Sequence, residues 1–210
     1  MPWASKVKAI VQMWLPGGEG GHAIADILTG KVNPSGKLPV TFPKAYEDNP
    51  TYIHFPGGAQ ADYGEGIFVG YRYYAKTGIK PLFPFGHGLS YTQFELSEPA
   101  LTEPTDPEGD RHVSVTVANT GDRAGAETVQ LYVEMPNCPE ASAPLNLCAF
   151  EKIYLEPGAR QSLSLIVPKR AFAYFDEDAN DWTAAPGPHQ IHLATSAANI
   201  QHSFNMAFKE

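Results

Sequence analysis

Two carboxylates, a histidine and a run of aromatic residues are the groups in this 210-residue chain whose spacing could do chemistry. Tyr63 and Glu65 open residues 63–74 (YGEGIFVGYRYY), and Tyr71, Arg72, Tyr73 and Tyr74 close it. A carboxyl beside a phenol can move a proton, and clustered aromatics can wall a pocket around it. The same residues also have a structural reading, which we favour: Glu65 and Arg72 as a buried pair anchoring irregular chain between layers. His87, in Phe85-Gly86-His87-Gly88, could serve as a general base, but its flanking glycines point to a close approach of backbone. Glu19 follows Pro16-Gly17-Gly18 and precedes a helical pattern, where backbone N–H groups could cradle an anion. No Gly-Lys-Ser/Thr follows, so this is no P-loop. A tight turn into the helix, with Glu19 near its positive end, is the plainer reading.

The remaining titratable groups carry less. Asp176, Glu177, Asp178 and Asp181 form an acidic turn that could hold Ca²⁺ weakly, and a solvated loop is preferred. No His, Asp, Glu or Cys cluster has metal-ligand spacing, and no Ser or Cys lies in a nucleophile elbow, so neither metal nor cofactor is expected. Cys138 and Cys148 flank residues 139–147; a short-loop disulfide is conceivable, and free thiols are expected in an intracellular setting. The net charge of −8, without any basic stripe, excludes a nucleic-acid footprint. No apolar run reaches the roughly 20 residues needed to cross a bilayer. The N-terminus lacks the features of a signal peptide, and Asn33 and Asn49 are each followed by Pro, which leaves no glycosylation acceptor. A cytoplasmic setting is the expectation.

These side chains need elements to position them. With 19 Gly, 19 Pro and only 18% charged residues, the composition favours a β-rich, loop-rich protein. Residues 7–14 (VKAIVQMW) are apolar on both faces and read as a buried strand of a parallel sheet. Residues 20–28 (GGHAIADIL) have helical spacing and are closed by Gly30, and residues 37–42 (KLPVTF) read as a short strand after the turn at 33–36. One strand, one helix and another strand cannot bury both faces of a sheet, so this β-α-β piece requires neighbours that the sequence does not provide. Residues 43–95 are dense in Tyr, Phe, Pro and Gly, too aromatic for a disordered linker. Alternation then takes over in HVSVTVA (112–118), TVQLYV (128–133), FEKIYL (150–155), QSLSLIV (161–167), residues 171–175 and residues 189–194. Short alternating strands between turns predict a β-sandwich of immunoglobulin or fibronectin type III kind. The predicted division is a partial α/β segment at 1–45, an aromatic-rich connecting segment at 46–93 and the sandwich at 94–210.

The order of motifs along the chain resembles glycoside hydrolase family 3. Pro2-Trp3 with KVKAIVQMWLPGGEGGHAIADILTGKVNPSGKLPVTFP is similar to the end of that family's α/β-sandwich domain. YGEGIFVGYRYY and PLFPFGHGLSYTQF (81–94) resemble its connecting segment, and VTVANTGDRAGAETVQLYV (115–133) with FEKIYLEPG (150–158) resembles its fibronectin type III-like domain. The chain departs from the family pattern at Gly18, at residues 143–150 (APLNLCAF) and at residues 186–189. The resemblance implies retaining hydrolysis of terminal β-glucosyl residues by a nucleophilic Asp and an acid/base Glu. Neither family position maps onto this sequence, so no catalytic residue is assigned. The expected role is a non-catalytic C-terminal portion, partnered by a catalytic domain or by a second copy in a homodimer. The alternatives are an interaction module, or a repurposed stand-alone protein that binds or cyclises a small apolar molecule, or binds a carbohydrate, in an aromatic-lined pocket. Its lining candidates are Tyr63, Glu65, Tyr71, Arg72, Tyr73, Tyr74, His87 and Glu19.

Overall fold

The computed structural model describes residues 1–102, 109–139 and 142–207. Helices α1 (Gly20–Leu28) and α2 (Tyr71–Thr77) precede nine strands: β1 (Phe94–Thr102), β2 (Arg111–Asn119), β3 (Gly125–Glu134), β4 (Asn146–Leu155), β5 (Arg160–Val167), β6 (Ala173–Asp176), β7 (Asp181–Ala184), β8 (Pro188–Ser196) and β9 (Asn199–Ala207). A three-stranded sheet, β1-β2-β5, faces a four-stranded sheet, β4-β3-β8-β9, and β6-β7 is a separate hairpin. Every pairing is antiparallel. This is the sandwich that the alternating strands predict.

The period-2 pattern explains the core. Val113, Val115 and Val117 of β2 point inward and are 0–1% exposed, and β2 lies in register with β5, with Val113 opposite Leu165 and Val115 opposite Leu163. They meet Val129, Leu131 and Val133 of β3, Ile191 and Leu193 of β8, and Phe172. Each such side chain stabilises the fold by about 1.5–3 kcal/mol through burial. Asn119, at the end of β2, locks the following turn. Its side-chain oxygen accepts from Thr92 Oγ1 (2.7 Å) and the Gly121 amide (3.1 Å), and its amide donates to the carbonyls of Arg123 (2.7 Å) and Leu155 (3.0 Å). All four hydrogen-bonding positions of the side chain are thereby used.

β3 departs from simple alternation because both of its faces are covered. Ala126, Thr128, Gln130 and Tyr132 point away from the sandwich core and are nonetheless buried. Tyr71 and Ala75 of α2, with Phe85, pack over Tyr132, Leu145 and Ala194 on that outer face. The aromatic-rich segment thus roofs the four-stranded sheet.

The N-terminal stretch diverges from expectation in its strands. Helix α1 forms as predicted, ending at Gly30 with φ +72°. Residues 7–14 form no strand, and among the described residues no backbone hydrogen bond joins them to a neighbouring segment. Strand backbone needs ladder partners for its N–H and C=O groups, and here none lies alongside. Residues 37–42 also form no regular strand. They run beside residues 82–87 through hydrogen bonds from Leu38 N to His87 O, Gly86 N to Leu38 O and Phe42 N to Phe83 O, with a single bridge at Phe42 and Phe83. Asn33 ties this stretch to the sandwich, donating to Ala124 O (2.9 Å) and accepting from Ser90 Oγ (3.0 Å) and the Tyr91 amide (2.8 Å).

Candidate functional site

The sequence-predicted site residues fall into separate environments. Tyr71 is a packing anchor. Helix α2 sets its ring against Phe85 (4.8 Å between centroids) and edge-on to Tyr132 (5.7 Å), and its hydroxyl accepts the Leu147 amide at 2.9 Å. Below it, Tyr132 donates to Gln130 Oε1 (2.7 Å), and Gln130 Nε2 donates to Thr195 O (2.9 Å) and Gly86 O (3.3 Å). Burial raises the Tyr132 phenol above its ordinary range, so it stays protonated as a donor. Tyr74 is buried, stacks edge-on to Tyr73 at 5.5 Å, and is pushed up first by burial and then by Asp48.

Tyr63 stands in solvent, 86% exposed. Glu65 and Arg72 do not form the expected pair. Among the described residues no ion pair joins them, and Glu65 Oε2 and Arg72 Nε are each buried without a hydrogen-bond partner. Arg72 instead lies over the Tyr71 ring, 5.9 Å from its centroid. Arg72 lies in the first turn of helix α2, which begins after Gly70 and sets its guanidinium over Tyr71. Glu19 lies apart from all of these, exposed at the start of α1, where its carboxylate binds His22 Nδ1 at 2.6 Å.

His87 stacks on Phe83 (5.7 Å, 12° between planes). Burial first, and the Lys37 charge second, hold its imidazole below the ordinary value, so it is neutral near pH 7. The glycines beside it play the part expected of them. A Cβ on Gly86, whose φ is +79°, would strike the Gln130 side chain, and one on Gly88 would strike the carbonyl of Gly36. His87 borders a groove of about 620 Å³ with Lys37, Ser90, Gln93, Glu127 and Gln201. Lys37 crosses this groove to Glu127 and also donates to Gly88 O at 2.9 Å. Sequence reasoning missed Lys37 and Glu127, and the polar Gln130 within the otherwise apolar TVQLYV was the available signal for the covered outer face. A second groove of about 350 Å³ is lined by Asn146, Leu147, Cys148, Pro168, Arg170 and Ala171. Neither of these two best-formed grooves is lined by residues 63–74.

Cys138 and Cys148 are both free thiols, and burial pushes the Cys148 thiol up to about 12. It is inert and donates to Leu131 O at 3.3 Å. Residues 140–141 of the loop between them lie outside the described residues. Asp176 closes the acidic β6-β7 turn by accepting the amides of Asp178 (3.0 Å) and Ala179 (3.1 Å).

Many large apolar side chains of the N-terminal third stay exposed. Trp3, Val7, Ile10, Val11, Trp14, Leu15, Leu28, Val40, Ile53, Phe55, Ile67 and Val69 are all exposed, with Leu15 98% accessible. Thr41 Oγ1 joins Glu65 Oε2 and Arg72 Nε as buried polar atoms left without a partner in the same part of the chain. No helix among the described residues is long and apolar enough to cross a membrane.

Residues 1–91 match the glycosyl hydrolase family 3 C-terminal domain, and residues 127–197 match a fibronectin type III-like domain. The chain is 44% identical over 203 residues to a probable beta-glucosidase H of Emericella nidulans, covering 95% of this chain and 24% of that protein. It is 45% identical over 202 residues to thermostable beta-glucosidase B of Acetivibrio thermocellus, covering 95% of this chain and 27% of that protein. The fold superposes on a Bifidobacterium adolescentis GH3 beta-glucosidase with a TM-score of 0.93 at 39% identity, over 99% of this chain and 31% of that one. A beta-glucosidase from Streptomyces venezuelae in complex with D-glucose gives 0.90 at 39% identity, over 100% of this chain and 27% of that one. The chain thus spans about a quarter of the length of the curated relatives it matches. Its motifs, their order and its fold place it in glycosyl hydrolase family 3, as a C-terminal part of a β-glucosidase-like protein.

Proposed function

We propose that this chain is a scaffold portion of a β-glucosidase, unable to hydrolyse glycosides by itself. In this reading the sandwich and its aromatic roof form a rigid base. The apolar face contributed by residues 3–69 is the seat for further α/β elements and a catalytic barrel that lie outside this sequence. The observation that carries the reading is the run of exposed apolar side chains between Trp3 and Val69, in the same part of the chain as the unpartnered buried atoms of Thr41, Glu65 and Arg72. Exposed apolar side chains in such number suit a surface that another element covers, and buried polar atoms without partners are costly. The nucleophile and acid/base carboxyls of a retaining glycosidase must lie about 5 Å apart across the scissile bond. The carboxylates here are dispersed: Glu19 is bound to His22, Glu127 to Lys37 and Asp26 to Lys31. The cytoplasm is the compartment we propose, supported by the two free thiols.

The test is hydrolysis of an aryl β-glucoside by the purified chain, alone and mixed with the N-terminal three quarters of the Acetivibrio thermocellus relative. The chain alone is expected to show no turnover above buffer, and the mixture is expected to regain it. Enzyme-like turnover by the chain alone would overturn the proposal.

A further inference from the structure

A hydrogen-bonded Ser–His–Glu relay stands on the outer face of the four-stranded sheet, and neither the scaffold role nor the family resemblance uses it. In the β8-β9 ladder His192 is directly opposite Ser203. Its Nδ1 lies 2.8 Å from Ser203 Oγ, and its Nε2 lies 3.2 Å from Glu134 Oε2 on β3. The imidazole is nearly sealed, 6% exposed, and Glu134 is one-third exposed, while Ser203 stands open to solvent.

Elementary hydrogen-bond chemistry fixes the direction of the relay. A carboxylate can only accept, so in the neutral imidazole Nε2 carries the proton and Nδ1 presents its lone pair. The Ser203 hydroxyl must then be the donor to Nδ1. This is the ground-state arrangement that general-base activation of a hydroxyl requires: nucleophile, base and orienting carboxylate joined in order. The three residues come from three adjacent strands of one sheet, so backbone ladders hold their spacing instead of a mobile loop.

We propose that Ser203 is an activated nucleophile, with His192 as its general base and Glu134 as the residue that positions the imidazole. The class of reagent it takes is a small, unhindered, activated acyl or phosphonyl donor, because Ser203 is exposed and lines neither groove described above. Gln201, two residues earlier on β9, lines the 620 Å³ groove, which offers the nearest recess along the strand for the rest of such a molecule. With an aryl ester, Ser203 Oγ forms a bond to the acyl carbon as its proton passes to His192 Nδ1. The carbon–oxygen bond to the phenol breaks, and the phenolate leaves with that proton. With a fluorophosphonate, Oγ bonds to phosphorus, fluoride departs and the proton remains on the imidazole.

The experiment is labelling of the full chain with a fluorophosphonate probe, followed by peptide mapping. One adduct per chain is expected, on Ser203, and S203A should carry none. E134Q should label at least about tenfold more slowly, less than the roughly 10²–10⁴-fold contributed by a general base itself because Glu134 only positions it, with circular dichroism unchanged. E134D should recover part of the rate, which a merely structural role for Glu134 would not produce. The absence of an adduct on Ser203, an even spread over other exposed serines, or E134Q labelling at the wild-type rate would each overturn the assignment. Glucoside hydrolysis is not read in this experiment, so its outcome is separate from that of the scaffold proposal.

Discussion

Two β-branched runs of similar composition meet opposite fates in this molecule. Residues 112–118 (HVSVTVA) become a strand whose inward face, Val113, Val115 and Val117, is 0–1% exposed, while residues 7–14 (VKAIVQMW) form no ladder and leave Val7, Ile10, Val11 and Trp14 partly exposed. Propensity does not separate them, because both are rich in strand formers. Neighbours do. β2 has β1 on one side and β5 on the other, and among the described residues, residues 7–14 have no strand partner, only the Trp14 ring near Phe42 at 6.2 Å. Strand propensity is a measure of fitting a half-buried pleated surface, and without that surface it decides nothing.

The contrast can be broken most directly by truncating side chains on each side of it. Leu131→Ala in the sandwich core should cost about 2–5 kcal/mol in urea unfolding. Val11→Ala should stay within about 0.5 kcal/mol. Equal losses would mean that residues 7–14 are packed in solution. A smaller effect tests the roof that joins the two regions. Gly86→Ala should destabilise by about 1–3 kcal/mol, since it adds a Cβ at positive φ against Gln130. Tyr71→Phe should cost about 1 kcal/mol by removing the acceptor of the Leu147 amide, and that amide should exchange faster with solvent.

The smallest expected effect is a pH dependence. His87 and His189 are both held below their ordinary value of 6.5, chiefly by burial, so the folded state prefers them neutral. The unfolded chain then binds more protons, and stability should fall as pH drops from about 6.5 towards their lower folded values, with a plateau above. His87→Gln should flatten part of that slope, measured as the urea midpoint across the same pH range.

The sandwich was legible because β2 and β5 alternate between a buried and a more exposed face, and because Asn119-Thr120-Gly121 and Glu156-Pro157-Gly158 mark turns. β1, β7 and β9 were not read as strands. β9 carries only Phe204 and Met206 toward the core, among Gln201, His202, Ser203 and Asn205, so its periodic signal is weak. Helix α2 was hidden within residues 71–77, where four aromatic or charged side chains in a row mask any helical stripe. The close approach at Gly86 and Gly88 could be inferred from the glycines themselves. The failed Glu65–Arg72 pair could not, because it depends on where helix α2 sets the Arg72 guanidinium. The relay of Ser203, His192 and Glu134 was also invisible, since its members are joined only by strand register.

The most direct test of the central claim is hydrogen exchange on the free monomeric chain, comparing the amides of residues 7–14 with those of 112–118. A face that is built to be covered, and is not covered here, predicts near-complete exchange of residues 7–14 within seconds, against strong protection of residues 112–118. Comparable protection of both segments at a concentration where the chain is monomeric would contradict it. Residues 7–14 would then have found their own partners within this chain.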